Sequence, residues 1–277
     1  MKKKMLITGA TGFLGSRVAW YYKEKYEVLT PSHEEMDIAD ETSVMQYFKD
    51  TRPDFVIHCA AISDVGRCER EPELSWSINV VGTENVVKVA KEISAKCVCC
   101  SSDQVYFGSA EIEAHKEEEV IEPANVYGKE KFYAENSCLS IDENSVHLRL
   151  SWMYDAGDKK RMDFIKQLRA CLYEGKETIF SGKDKRGITD VWEVVKNVEP
   201  ALELPGGIYN FGSPNGKNTY EMVMDICESI DGDATYIREM ENANFRNLTM
   251  DQEKVNKHGI FFSVTQEGVL RSLKDCM

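Results

Sequence analysis

Over roughly the first 150 residues, short apolar runs alternate with longer stretches of helical period. This is how a parallel sheet covered on both faces by helices reads in a sequence. Strands are expected at 5–7, 27–29, 55–59, 97–100 and 146–150, and helices at 13–25, 40–49, 74–92 and 127–136. In the third helix Val80, Val81, Val86, Val87 and Val89 are the apolar positions. The rhythm predicts an α/β fold with a doubly wound (Rossmann) parallel sheet. After Trp152 it loosens: 183–189 reads as a polar loop, 204–207 and 212–216 as turns, and 162–173, 220–230 and 265–273 as helices. The expected organisation is a sheet domain over 1–155 and a smaller C-terminal substrate-binding lobe over 156–277, with some segments of the lobe returning to the sheet.

Of the 277 residues, 34 are Lys or Arg and 47 Asp or Glu, a net charge of −13. So negative a surface repels phosphate backbones, and nucleic acid is not an expected partner. The hydrophobic fraction of 42% supports a sizeable core. No run approaches the roughly 18 apolar residues of a membrane span. The apolar run after the N-terminal lysines is cut at once by Thr8-Gly9-Ala10-Thr11-Gly12, unlike a secretory leader, so a cytoplasmic protein is expected. Nine cysteines without a disulfide-framework spacing agree with a reducing compartment. Cys97, Cys99 and Cys100 fall in an expected buried strand with no Cys or His pair at zinc spacing elsewhere, so they are read as core packing and no metal is expected.

Three glycines, Gly9, Gly12 and Gly15, follow the first strand and open the first helix. That context suits a dinucleotide: a tight turn at Gly9, close approach of a pyrophosphate at Gly12, helix packing at Gly15, and the anion at the helix N-terminus. Thr11, Phe13 and Leu14 complete the expected loop contacts. After the second strand, Leu29-Thr30-Pro31-Ser32-His33 holds no carboxylate to repel a 2′-phosphate and no Arg to demand one. NADP(H) is therefore expected in preference to NAD(H), which the site would still admit. Asp37 and Ile38 are expected against the adenine, although Asp37 also reads as an acid at a helix start.

Tyr127 and Lys131 lie four residues apart, on one helix face. A neighbouring cation favours phenolate, which would bring the phenol from about 10 toward neutrality and make it a usable proton donor or acceptor at a carbonyl. The fourth strand ends in Ser101-Ser102-Asp103, at the edge of the sheet where ligands bind. Ser102, Tyr127 and Lys131 around one carbonyl form a set for hydride transfer with proton relay.

These residues resemble the extended short-chain dehydrogenase/reductases. The resemblance is carried by 8–15, by His58-Cys59-Ala60-Ala61, by Asn79 with Gly82-Thr83-Glu84-Asn85, by Ser101 to Tyr106 and by Tyr127 to Lys131. Within that superfamily it is nearest to the dTDP-4-dehydrorhamnose reductases, whose motifs are echoed in 37–40, 53–57, 125–129, 149–154 and 245–251. The resemblance implies that Ser102, Tyr127 and Lys131 are catalytic and that Lys131 and Tyr127 also touch the cofactor. It places Cys59, Ala60, Ala61 and Asn79 about an NAD(P)-binding domain, and Ser63, Gln104 and Trp152 at the substrate. The implied activity is NAD(P)H-dependent reduction of the C4 ketone of a nucleotide-linked 4-keto-6-deoxy sugar. Arg186 is the candidate for the substrate pyrophosphate, since a guanidinium grips phosphate in a bidentate manner; a solvated loop arginine is the alternative. A nucleotide sugar and a homodimer are the expected partners. The chain departs from the reductases at Gly66-Arg67, Gln104, Leu150 and Ile188, mostly where substrate would be recognised.

Two other functions fit the same fold. One is an epimerase or dehydratase that oxidises and reduces a tightly held NAD within a cycle; against it, Asp103 is followed by Gln104 rather than the Glu a dehydratase needs. The other is a non-catalytic NADP-binding regulatory subunit, like that of methionine adenosyltransferase.

Overall fold

A computed structural model describes residues 2–158, 162–240 and 244–274; Cys276 lies outside the described residues. In chain order the elements are β1 (Lys4–Thr8), α1 (Phe13–Tyr22), β2 (Glu27–Leu29), α2 (Glu41–Thr51), β3 (Phe55–His58), α3 (Val65–Arg70) and α4 (Pro72–Trp76). A π-helical turn (Ser77–Val81) joins α4 to α5 (Gly82–Glu92), and β4 (Lys96–Ser102) ends in a 3-10 turn (Asp103–Tyr106). There follow α6 (Val126–Ile141), β5 (Val146–Leu150), β6 (Trp152–Tyr154), α7 (Phe164–Glu174), β7 (Thr178–Ser181), β8 (Asp184–Arg186) and β9 (Ile188–Asp190). The chain closes with α8 (Val191–Ala201), β10 (Gly207–Phe211), α9 (Thr219–Ser229), β11 (Ile237–Met240), β12 (Arg246–Leu248), α10 (Glu253–Asn256) and α11 (Thr265–Lys274).

Six strands form one parallel sheet in the order β10-β5-β4-β3-β1-β2. The chain leaves β1 in one direction toward β2 and then crosses back to β3, so the strand order reverses between β1 and β3. The connections that follow the carboxyl ends of those two paired strands leave to opposite faces of the sheet and open a crevice there. Alternation along each strand sends its side chains to two cores. Met5, Ile7 and Ile57 pack under α1 and α8, whereas Leu6, Val56, Cys97 and Cys99 pack under α2, α5 and α6. A third core unites α7, α9 and α11 in the C-terminal lobe through Phe164, Leu168, Met222, Ile226 and Val269. Among the described residues no helix is long and apolar enough to cross a membrane.

The structure corrects the sequence expectation at three places. The loop expected at 183–189 is mostly strand: β8 pairs with β12, and β9 with β6. Three-residue strands carry too little alternation to show a period, and their partners come from distant parts of the chain. The helix expected at 74–92 is broken by the π turn, where Asn79 points inward and clamps the backbone of Ile62, accepting from its N–H at 2.8 Å and donating to its carbonyl at 3.0 Å. The first helix stops at Tyr22 rather than at 25, because the N–H groups of Lys25 and Tyr26 both turn back to the Tyr22 carbonyl before β2. Among the elements that the sequence did not announce are α8, which packs on the main sheet, and β10, which pairs with β5 at its edge.

The sheet and α6 are joined by a buried polar network. Arg149 on β5 and Glu135 on α6, each about 1% exposed in the side chain, form a forked ion pair at 2.7–3.2 Å. Arg149 also donates to the Tyr106 hydroxyl at 2.7 Å, which in turn donates to Asn210 on β10 at 2.8 Å.

Candidate functional site

A cavity of about 410 Å³ opens at the crevice between β1 and β3. One wall is the turn from β1 into α1. Gly9 stands at φ +64°, and a Cβ there would lie 2.7 Å from the Ala60 backbone nitrogen, so only glycine lets this turn seat against the end of β3. Unlike α2, α6, α8 and α9, which begin with an Asp or Asn cap, α1 has no side-chain cap and no acid in its first turn. The N-terminus of α1 therefore borders a cavity lined by Gly9, Gly12, Phe13, Leu14 and Gly15, and the dipole of that helix end suits an anion. Gly9→Ala is expected to weaken NADPH binding at least tenfold and to lower stability by roughly 1–3 kcal/mol, measured by nicotinamide fluorescence titration and thermal unfolding.

The opposite wall comes from β4 and α6. Asn125 caps α6 by accepting from Gly128 N–H at 2.6 Å. A Cβ on Gly128 would stand 2.3 Å from the Gln104 carbonyl, so the glycine lets the helix start close against the turn after Ser102. That contact brings Tyr127, Ser102 and Lys131 to one cavity wall. The Lys131 ammonium donates to the Cys100 carbonyl at 2.9 Å and stands 5.9 Å from the centre of the Tyr127 ring.

The electrostatics differ from expectation. Tyr127 is raised above the ordinary phenol value instead of falling toward neutrality: burial dominates, the Ser102 hydroxyl opposes it, and the Asp103 charge adds to it. Burial also lowers Lys131. The ammonium is turned to a backbone carbonyl and not to the phenol oxygen, so its stabilisation of phenolate is the smaller effect. At neutral pH the phenol is held protonated.

Of the other expected site residues, Cys59, Ala61, Ser63, Gln104, Trp152 and Arg186 also line the cavity. Five do not. Thr11 is exposed, and Ala60 gives its N–H to Thr8 beneath the glycine turn. The Asp37 carboxylate accepts from Ala39 N–H at 2.9 Å, and Ile38 packs against Gly82. Asn79 is fully buried and, besides holding Ile62, donates to Glu130 on α6 at 2.7 Å. It thus steadies the wall residues Ala61 and Ser63 from behind. His58 likewise serves structure, bridging Thr8 and Thr83 while burial keeps it neutral, down to about 3.

Sequence reasoning missed the partner of Arg186. Its guanidinium pairs with Asp103 at 2.9 Å and lies over the Trp152 ring at 4.9 Å, while its Nε is buried without a hydrogen-bond partner. Asp103 is only 2% exposed, and 83 residues separate it from Arg186, so no local spacing could reveal the pair. Among the described residues no group of three His, Cys, Asp or Glu side chains is placed to hold a metal.

The family model of the RmlD substrate binding domain matches residues 3–254. The chain belongs to this family. The extended short-chain dehydrogenase/reductase resemblance and the Rossmann-type fold expected from the sequence are both borne out. The chain is 29% identical to methionine adenosyltransferase 2 subunit beta of Xenopus laevis over 93% of its own length and 83% of the relative's. It is 30% identical to dTDP-4-dehydrorhamnose reductase of Mycolicibacterium smegmatis over 61% of its own length and 51% of the relative's. In fold it is similar to the crystal structure of a dTDP-4-dehydrorhamnose reductase from Bacillus anthracis in complex with NADP, with a TM-score of 0.87, 24% identity and 99% of each chain covered.

Proposed function

We propose that the protein is an NADPH-dependent reductase of a nucleotide-linked sugar, acting on the C4 ketone of a 4-keto-6-deoxy sugar. One observation carries this reading: Ser102, Tyr127 and Lys131 share a cavity wall that faces an uncapped helix N-terminus across about 410 Å³. The glycine turn, which a Cβ would fill, fits a dinucleotide pyrophosphate; Gly12 to Gly15 would hold it, with Lys131 at the nicotinamide ribose. The absence of a carboxylate from Leu29 to His33, at the end of β2, favours the 2′-phosphate of NADP(H) over NAD(H). Such a cofactor supplies hydride. The chain's own residues do the rest: the Ser102 hydroxyl polarises the ketone oxygen, and Tyr127, which burial keeps protonated, donates its proton to it. The Lys131 ammonium, 5.9 Å from the ring centre, offsets part of the cost of the buried phenolate until solvent returns the proton.

Asp103 argues against a dehydratase. An elimination needs a free acid and base beside the serine, but here the carboxylate is committed to Arg186 and the next residue is Gln104. Arg186 lines the cavity, and its Nε, buried without a hydrogen-bond partner, is a donor that the Asp103 pairing does not use. Arg186→Ala is expected to raise KM for the sugar nucleotide about tenfold to hundredfold, the worth of one or two charge-assisted hydrogen bonds, with the NADPH dissociation constant unchanged.

The regulatory-subunit reading is favoured by the 93% coverage of the alignment with methionine adenosyltransferase 2 subunit beta. NADPH oxidation followed with and without a 4-keto-6-deoxy sugar nucleotide separates the two. Oxidation only with the sugar present supports the reductase; tight NADPH binding with no turnover of any such sugar overturns it.

A further inference from the structure

Two thiols at the floor of the cavity remain outside the chemistry described so far. Cys59 follows β3 and Cys100 lies on β4. The parallel register pairs His58 with Cys99, so the next residues on the two strands are Cys59 and Cys100, and they present their side chains to the same face. The sulfurs stand 3.6 Å apart, and both residues line the cavity and are partly exposed to it. Neighbouring strands run about 4.8 Å apart, within the Cα separation that a disulfide spans. A second close pair, Cys97 and Cys99, has its sulfurs 3.7 Å apart but is sealed in the core under α2 and α5. Accessibility therefore distinguishes the two pairs.

We propose that Cys59 and Cys100 form a site of reversible oxidation, closed to a disulfide by a small peroxide that enters the cavity, and that closure disables the cofactor crevice. The Cys100 thiolate attacks the peroxide O–O bond, giving a sulfenic acid and releasing water once the departing hydroxide is protonated. Cys59 sulfur then attacks the sulfenic sulfur, the S–O bond breaks, and a second water leaves. Two thiols lose two electrons and one peroxide gains them. Cys100 is suited to the first step. Its contact with Cys59 and the nearby Lys131 ammonium draw its thiol below the usual range against the effect of burial, while Cys59 is held above it as the proton-bearing partner.

Closure is coupled to the site through the backbone on both sides. Cys59 donates its N–H to Thr8 at 3.1 Å, and its carbonyl carbon lies 2.9 Å from where a Gly9 Cβ would stand, so it forms the seat of the glycine turn. The Cys100 carbonyl anchors the Lys131 ammonium. Drawing the sulfurs from contact to bonding distance is a shift of about 1.5 Å. A close-packed sheet passes that shift to both the turn and the lysine.

The test uses the full-length protein, reduced, desalted and exposed to equimolar hydrogen peroxide, then alkylated and mapped by peptide mass spectrometry. A linked Cys59–Cys100 peptide that disappears with dithiothreitol, and Cys97 and Cys99 alkylated throughout, is the expected result. Cys59 and Cys100 both recovered as alkylated or separately oxidised residues overturn the proposal. NADPH titration of the same samples should show affinity at least tenfold weaker in the linked form and restored by dithiothreitol; unchanged affinity in the linked form overturns the coupling. In Cys100→Ser, peroxide should leave the affinity of that variant unaltered, and a full peroxide effect there would place the lesion elsewhere. Only the affinity measurement rests on the proposed cofactor. Reduced protein that fails to bind NADPH counts against the proposed function, while the mapped link stands or falls separately.

Discussion

Tyr127→Phe is expected to lower turnover by about 10²–10⁴-fold, the contribution of a positioned proton donor, with NADPH affinity changed by less than twofold. The substitution removes one hydroxyl and keeps the ring, so the buried contacts of the ring with Ile62 and Cys68 persist. It also removes a phenol that burial already holds protonated, so the pH profile is informative. With burial setting the phenol above its usual value, wild-type turnover limited by this donor should be flat through neutrality and fall only on the alkaline side. A Phe variant that retains turnover, measured by NADPH consumption at saturating sugar nucleotide, would show that the proton comes from elsewhere.

Glu135→Ala carries the largest expected effect on stability. It strips the forked partner from a guanidinium that is about 1% exposed and leaves Tyr106 as the hydrogen-bond acceptor that remains for Arg149. Breaking a buried ion pair from one side typically costs about 3–5 kcal/mol, because the surviving charge has neither water nor partner. For a chain of this size each kcal/mol lowers the midpoint by about 2–4 °C, so thermal unfolding should begin on the order of 10 °C earlier. Turnover at low temperature should fall as well, because Ser101 donates to Glu135 one residue before Ser102, tying the network to the cavity wall. Replacing both partners, as Glu135→Leu with Arg149→Met, should recover most of the lost stability. If the double variant is as unstable as the single one, packing rather than stranded charge is the cause.

How much of this could be read from the chain depends on the distance in sequence over which each signal is formed. The glycine turn and the Tyr127–Lys131 spacing are local, and each stands at a fixed offset from a strand end, so recognising the strands placed both. Arg186 was read as a candidate for the substrate pyrophosphate or as a solvated loop arginine, and the loop reading of 183–189 hid the strands that hold it and the aspartate that it meets. Asp37, Ile38, Ala60 and Asn79 were placed at the cofactor by motif, and the cavity is bounded without them. For Asn79 the reason is the π turn, which swings it behind the wall to hold Ile62. The phenol acidity was misjudged because a charge four residues away is visible in a sequence, whereas the burial that outweighs it is not.

Apolar periodicity, glycine placement and one helical spacing were enough to announce the layered sheet, the glycine turn at the end of its first strand and the Ser-Tyr-Lys set, because each depends on neighbours within a turn or a strand. Packing alone settled that Arg186 is bound to Asp103, that Glu135 neutralises Arg149, that Tyr127 stays protonated and that Cys59 touches Cys100. The contacts join positions up to 83 residues apart, and burial strengthens charge interactions while withdrawing solvent; neither property belongs to any short stretch of chain.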